Sequence, residues 1–325
     1  LELKRELYNG ELSDFRTALL PICAAIGGIV IPASIHYLWN VGLPTQSGVA
    51  IPMATDIAFS LGVLALLGSR VPASLKVFAV AFAVVDDLGA IVIIAVFYTA
   101  KVSLVYLLAA LGVWLTLMVL NRLRVMSLWI YLLGGILLWF LMLKSGVHAT
   151  IAGVLLAFAI PFTGQQDDHT SPSHRLEHFL HKPVSFMILP LFALANTGVL
   201  IGANWAESLT SANSLGIMGG LVIGKVLGIT LFSLLAVTLG FCRLPADLHW
   251  RHIIGAGFLG GIGFTMSIFI TNLAFVGQTE TINAAKMAIL VGSLTAGILG
   301  YIWLKLFGQP TAHDRNPDTM DLTVR

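Results

Sequence analysis

Charge is scarce in this sequence: Asp, Glu, Lys and Arg make up 10% of 325 residues, while 57% are hydrophobic. A soluble domain is about a quarter charged, so a solvated globular surface is excluded and an all-helical polytopic membrane protein is indicated. The mean hydropathy of +0.91 points the same way. Cysteine is scarcer still. Cys23 and Cys242 lie far apart in or beside apolar runs and form no CxxC pair, which leaves no disulfide framework, zinc site or redox pair and reads as two small buried hydrophobes. Basic tracts are missing and the net charge is only +2, so nucleic acid is not a partner. The chain opens on Leu1 in a charged segment without a signal-peptide pattern. No nucleotide loop ending in Lys-Ser/Thr is present, and no cofactor is expected.

What is present in abundance is apolar sequence. Runs of membrane length fall at about 17–39, 51–67, 74–99, 103–120, 128–143, 147–163, 184–203, 214–240, 253–275 and 285–306. Ten spans are therefore expected over 17–306, after a cytoplasmic end at 1–16 and before a disordered cytoplasmic tail at 307–325 rich in Pro, Asp and Thr. With residue 1 inside, fourteen Lys and Arg fall on the inner side and only Lys101, Lys144 and Lys286 on the outer side. That asymmetry predicts both ends in the cytoplasm.

Four ionisable groups stay inside apolar runs: Asp56, Asp86, Asp87 and Lys225. Each costs at least ~2.5–3.5 kcal/mol on insertion scales, so they are expected to face a polar interior. Asp86 and Asp87 are adjacent, hence about 100° apart on a helix, and both can reach one cavity beside it. Desolvation and mutual repulsion both penalise the doubly charged pair, so the site suits either protons or a small hard cation. The plainer reading is a structural pair neutralised by hydrogen bonds or by Lys225. That lysine lies in a ladder of Gly216, Gly220, Gly224 and Gly228, a small-residue face that lets another helix approach closely.

Two spans carry breaks. Pro52, Thr55 and Asp56 interrupt one near its start, and five glycines between Gly255 and Gly263 interrupt another. Unwound backbone at membrane depth is tolerated only where it lines a cavity or lies within protein. The exposed half-helix ends carry partial charges that Asp56 and Lys225 are placed to offset. His148 sits at the start of a span, where a pH-responsive group and an ordinary interfacial histidine read alike. His174, His178 and His181 share one face of a helix starting at Ser171-Pro172, which reads as a solvated loop helix, since no Cys or acidic cluster completes a metal site.

The runs Ala54-Thr55-Asp56-Ile57-Ala58-Phe59, Val85-Asp86-Asp87-Leu88-Gly89-Ala90, Lys144-Ser145-Gly146-Val147-His148-Ala149-Thr150 and Gly261-Ile262-Gly263-Phe264-Thr265-Met266-Ser267-Ile268-Phe269, with Leu3-Lys4-Arg5-Glu6-Leu7, closely resemble the bacterial NhaA sodium/proton antiporters. The likeness covers nearly the whole chain in order. It implies an inverted-repeat bundle with two discontinuous, crossing helices, an arrangement for which these antiporters are themselves a standard example. By the same resemblance Asp86 and Asp87 form the ion site for transported sodium or lithium. Asp87 would be the primary ligand and proton carrier, and Asp86 would pair with Lys225 in one state. Thr55, Asp56 and Lys225 would compensate the helix dipoles, and Glu2, Arg5, Glu6, His148 and Glu177 would serve pH activation.

The likeness further implies electrogenic extrusion of sodium, pH homeostasis and salt tolerance, and a multi-pass location in the bacterial inner membrane. Family members carry a further span and most of another before the segment matching Leu1, including a hairpin used in dimerisation. A homodimer is accordingly the implied assembly, and this chain is expected to be truncated. One departure is Val226, where the family has proline after the lysine. A passive cation channel and a solute cotransporter of the same architecture are the competing transport readings. An intramembrane aspartyl enzyme is less favoured, because the Gly-x-Gly-Asp, His-Glu-x-x-His and Gly-x-Ser-Gly patterns are missing.

Overall fold

The computed structural model describes residues 1–10, 15–99, 102–163, 171–199 and 205–308. In chain order the helices are α1 (Glu2–Asn9), α2 (Phe15–Asn40), α3 (Ile57–Leu67), α4 (Ala73–Phe97), α5 (Leu104–Arg122), α6 (Leu128–Ser145), α7 (Thr150–Ala159), α8 (Pro172–Pro183), α9 (Leu189–Asn196), α10 (Trp205–Leu209), α11 (Ala212–Gly219), α12 (Lys225–Thr238), α13 (Trp250–Gly260), α14 (Phe264–Ala274) and α15 (Thr279–Phe307). No strand occurs among the described residues. Among the described residues, seven helical stretches can cross a membrane by length and composition, and two bent pairs bring the number to nine.

The departures from the expected spans have local causes. The first broken span begins earlier than expected, because Pro44–Met53 forms a 3₁₀ limb ahead of α3. The run at 147–163 holds only ten helical residues, since Gly146 turns left-handed before it and Pro161 follows Ile160. At about 1.5 Å per residue that helix is too short to cross about 30 Å of hydrocarbon. The polar helix at Ser171-Pro172 is not a separate loop element. It continues through a π-turn at Val184–Ile188 into α9, giving one stretch from Pro172 to Asn196. Residues 309–325, and with them nearly all of the expected tail, lie outside the described residues.

The described chain forms two compact units, and the boundary falls inside α4 after Asp87. One unit holds α1 and the stretch from Leu88 to Asn196. Within it α5, α6 and α7 close around Ala110, Leu138, Met142 and Ala152, and around Leu117, Tyr131, Ala159 and Ile160. Lys4 ties α1 to the end of α7, donating to the carbonyls of Phe158 (3.0 Å), Ala157 (3.3 Å) and Ile160. A cation on the last carbonyls of a helix satisfies acceptors that have no intrahelical partner and opposes the negative dipole end.

The other unit holds residues 14–87 and 197–325. Its core joins Leu64, Leu75, Phe78, Phe82, Ile253, Leu259 and Leu304. α2 packs along α12, where the glycine ladder meets proline and glycine: Gly224 lies against Pro32, and Gly228 faces Gly27 backbone to backbone. Small side chains permit that approach, as expected for association without a hydrophobic drive between spans.

Candidate functional site

The two broken spans interrupt beside each other. The limbs Pro44–Met53 and Ile57–Arg70 meet at 41°, and α13 and α14 meet at 46°. The second interruption is confined to Gly261–Gly263, narrower than the five-glycine run, because Gly255, Gly257 and Gly260 remain helical. Gly261 sits where any side chain would collide, its Cβ direction pointing at the Leu221 carbonyl oxygen 2.2 Å away.

The breaks are joined by hydrogen bonds that sort by helix polarity. Thr55 donates its hydroxyl to the Gly260 carbonyl at 2.7 Å, and Ser60 donates to the Leu259 carbonyl at 2.8 Å, so both serve the carbonyl end of α13. Asp56 does the opposite. Its Oδ1 accepts from the Phe59 N–H (3.3 Å) at the start of α3, and its Oδ2 accepts from the Thr265 N–H (3.2 Å) and hydroxyl at the start of α14. One carboxylate thus serves two positive helix ends, a placement that contributes about 1–2 kcal/mol per end when partly buried. The Asp56 N–H also donates to the Ile262 carbonyl at 2.6 Å. Ser267 closes the crossing by donating to the Ile51 carbonyl at 2.7 Å.

Beside the crossing lies an ion pair with both partners fully buried: Lys225 Nζ donates to Asp86 Oδ2 at 2.7 Å. α12 delivers Lys225 immediately after a π-turn at Gly220–Gly224, a local widening of the helix that often marks a functional position. Among the described contacts, Lys225 meets Asp86, where the sequence also allowed it a place at a half-helix end. Gly28 of α2 leaves room for the ammonium, its Cβ direction lying 3.5 Å from Nζ.

Thr55 stands beside the Asp86 carboxyl group, and the Asp87 charge also acts on Lys225. Asp86 Oδ1 is buried without a hydrogen-bond partner among the described residues, while Asp87 is only partly buried. The arrangement therefore offers one carboxylate paired with a lysine and, on the next residue, a second carboxylate at a partly buried position. Carboxylate oxygens with open positions suit small hard cations as cargo. No group of three or more His, Cys, Asp or Glu that could hold a resident metal is found among the described residues.

The residues singled out for pH response separate into two places within one unit. Arg5 of α1 is hydrogen-bonded to Glu177 of α8 and lies 3.5 Å from Glu2 and 3.4 Å from Glu6. Three of the five thus converge on the guanidinium of a fourth. His148 stands apart, its Nε2 3.1 Å from the Tyr98 carbonyl oxygen. His178 and His181 are exposed on α8.

Sequence reading passed over Ser60, Thr265 and Ser267 because hydroxyls in apolar helices are common; the signal was their placement next to the breaks. It also passed over a buried polar group at the end of α2. There His36 Nε2 lies 3.0 Å from Asn213 Oδ1, and Asn40 donates to the His36 carbonyl at 2.9 Å.

The chain is similar in sequence to known proteins. The profile of the family described as Na+/H+ antiporter 1 matches residues 1–304. The Na(+)/H(+) antiporter NhaA of Dechloromonas aromatica strain RCB is 72% identical over 310 residues, covering 95% of this chain and 80% of that protein. The protein of the same name from Cytophaga hutchinsonii is 58% identical over 306 residues, 94% of this chain and 78% of that one. The one from Escherichia coli O1:K1 / APEC is 51% identical over 313 residues, 96% and 80% respectively. Crossed broken spans, a buried Asp-Lys pair and a match across nearly the whole chain lead to one conclusion: this chain belongs to the Na+/H+ antiporter 1 family.

Proposed function

We propose that this chain is a transporter, not an enzyme, and that it extrudes sodium or lithium in exchange for protons by alternating access. The carrying observation is the buried Lys225–Asp86 pair next to the partly exposed Asp87. A cation arriving at Asp87 recruits the neighbouring Asp86 carboxylate, and this second positive charge weakens the hold of Asp86 on Lys225. Left unpaired at that depth, the ammonium costs at least ~2.5–3.5 kcal/mol, and releasing its proton removes that penalty. Protons leave from Asp87 and from Lys225 for each sodium bound, which makes the exchange electrogenic and lets an inward proton gradient drive it. A passive channel lacks this coupling.

Thr55 and Asp56 hold the crossing while the two states interconvert. The cluster around Arg5 supplies pH regulation through the charge of Glu2, Glu6 and Glu177. The excess of basic residues in alternate loops supports both ends facing the cytoplasm from a bacterial inner membrane.

Asp87→Asn tests the reading. Asparagine keeps the size and hydrogen-bonding capacity of Asp87, so the variant is expected to insert and fold as the parent does. It should abolish sodium-induced proton movement in everted vesicles or proteoliposomes, and retained exchange would overturn the assignment.

A further inference from the structure

Alongside the crossing, α3 and α15 enclose an apolar groove of about 550 Å³, within the size range of ligand pockets. Ile262, within the second break, and Phe264, just after it, line its inner end, and Val63 and Ile298 line its walls. The Ser293 hydroxyl there is already engaged, accepting from the Phe264 N–H at 3.1 Å. Leu66 and Leu294 at the rim are 77% and 66% exposed, so the groove opens on a face that only an apolar medium covers well. Toward its other end Lys305 holds its ammonium 5.6 Å from the centre of the Tyr301 ring, which also lines the groove. From Ser293 to Tyr301 the helix advances about 12 Å.

We propose that one acyl chain of an anionic phospholipid occupies this groove, with its phosphate at Lys305, and that the chain braces the crossing. The occupant enters from the bilayer, because that is where the groove opens. It is apolar along its length, because the lining is almost wholly hydrocarbon and its one serine hydroxyl is engaged. It is negative at one end, because a basic side chain at a helix mouth attracts anionic headgroups. Its inner end presses on Phe264, which stacks edge to face on Phe59 with centroids 4.9 Å apart, one residue before the threonine that holds Asp56. Lys305 also lies in the last turn of α15, where a cation suits the helix dipole. A lysine serving that end alone would show no headgroup preference. The inference rests on the membrane-spanning reading and not on the exchange reaction.

The test reconstitutes the full chain in vesicles of equimolar phosphatidylglycerol and phosphatidylcholine, extracts it in mild detergent and counts retained lipid by native mass spectrometry. One retained phosphatidylglycerol per chain is expected. Gly297→Leu fills the groove from within and Ile298→Trp from its rim; each should lower retention at least about tenfold. Lys305→Gln should keep a lipid but bind both headgroups equally. Proton exchange by the parent should be faster with phosphatidylglycerol than in phosphatidylcholine alone, and the two filled variants should lose that difference. Unchanged retention in both filled variants overturns the site, a surviving preference in Lys305→Gln overturns the headgroup contact, and an unchanged lipid dependence of exchange overturns the bracing role. A parent that retains the lipid but exchanges no protons refutes the transport reading instead.

Discussion

Replacing Gly228 by alanine perturbs the molecule at its tightest interhelical contact. A methyl group there would sit 2.1 Å from the Gly27 carbonyl oxygen, and a methyl on Gly27 would sit 2.1 Å from that of Gly228. Ordinary contact begins near 3.4 Å, so the shortfall is about 1.3 Å. Neither obstacle is a side chain that can rotate away; α2 and α12 must part. Lys225 lies one turn before Gly228, so the shift displaces the helix that carries it and disturbs its 2.7 Å bond to Asp86 of α4.

Overpacking a core typically costs 1–3 kcal/mol, and a backbone-on-backbone clash belongs near about 3 kcal/mol. Gly112→Ala is the matched control. Gly112 is inside α5 with nothing within 4 Å of its Cβ direction, so alanine there should be neutral or stabilising by up to ~1 kcal/mol. Thermal unfolding in detergent and sodium-induced proton movement in proteoliposomes read both effects. If Gly228→Ala unfolds at the parent temperature and exchanges at the parent rate, the close-approach argument is wrong. Equal losses in both variants would refute it too.

Lys225→Met alone leaves Asp86 buried without its partner and should destabilise by about 3–5 kcal/mol, whereas Lys225→Met with Asp86→Asn should recover most of that in thermal unfolding while exchange stays lost. Glu177→Gln removes an anion from Arg5, so the activity profile is expected to shift along pH; a superimposable profile discards the role. Burial brings the Lys4 ammonium down to about 8 from 10.5. Between those values the unfolded chain holds a proton that the folded chain has released, so docking of α1 gains stability as pH rises. Hydrogen-exchange protection of α1 should therefore increase from about pH 7 to about pH 9.5 in the parent but not in Lys4→Arg, which does not titrate there.

Much of the site was legible because the bilayer makes polarity conspicuous. Asp56, Asp86, Asp87 and Lys225 stood out as charges in apolar runs, and the glycine ladder announced a close helix contact. Pro52 and Gly261–Gly263 marked backbone that could not stay regular. Helix boundaries were less legible, since hydropathy registers composition and not backbone geometry. The run at 147–163 is apolar throughout yet helical for ten residues, and the polar His174–His181 segment is continuous with the apolar helix after it.

By itself the sequence determined that this chain lives in a membrane, which ionisable groups lie at membrane depth and which spans break, because each follows from the transfer cost of a residue or from the dihedral limits of proline and glycine. Only the tertiary structure decided which buried groups meet. Lys225 is 139 residues from Asp86, and Thr265 is 209 from Asp56. Pairings at such separation are set by how α2, α4, α12 and the two broken spans pack, since a buried charge accepts whichever partner the surrounding backbone brings within about 3 Å.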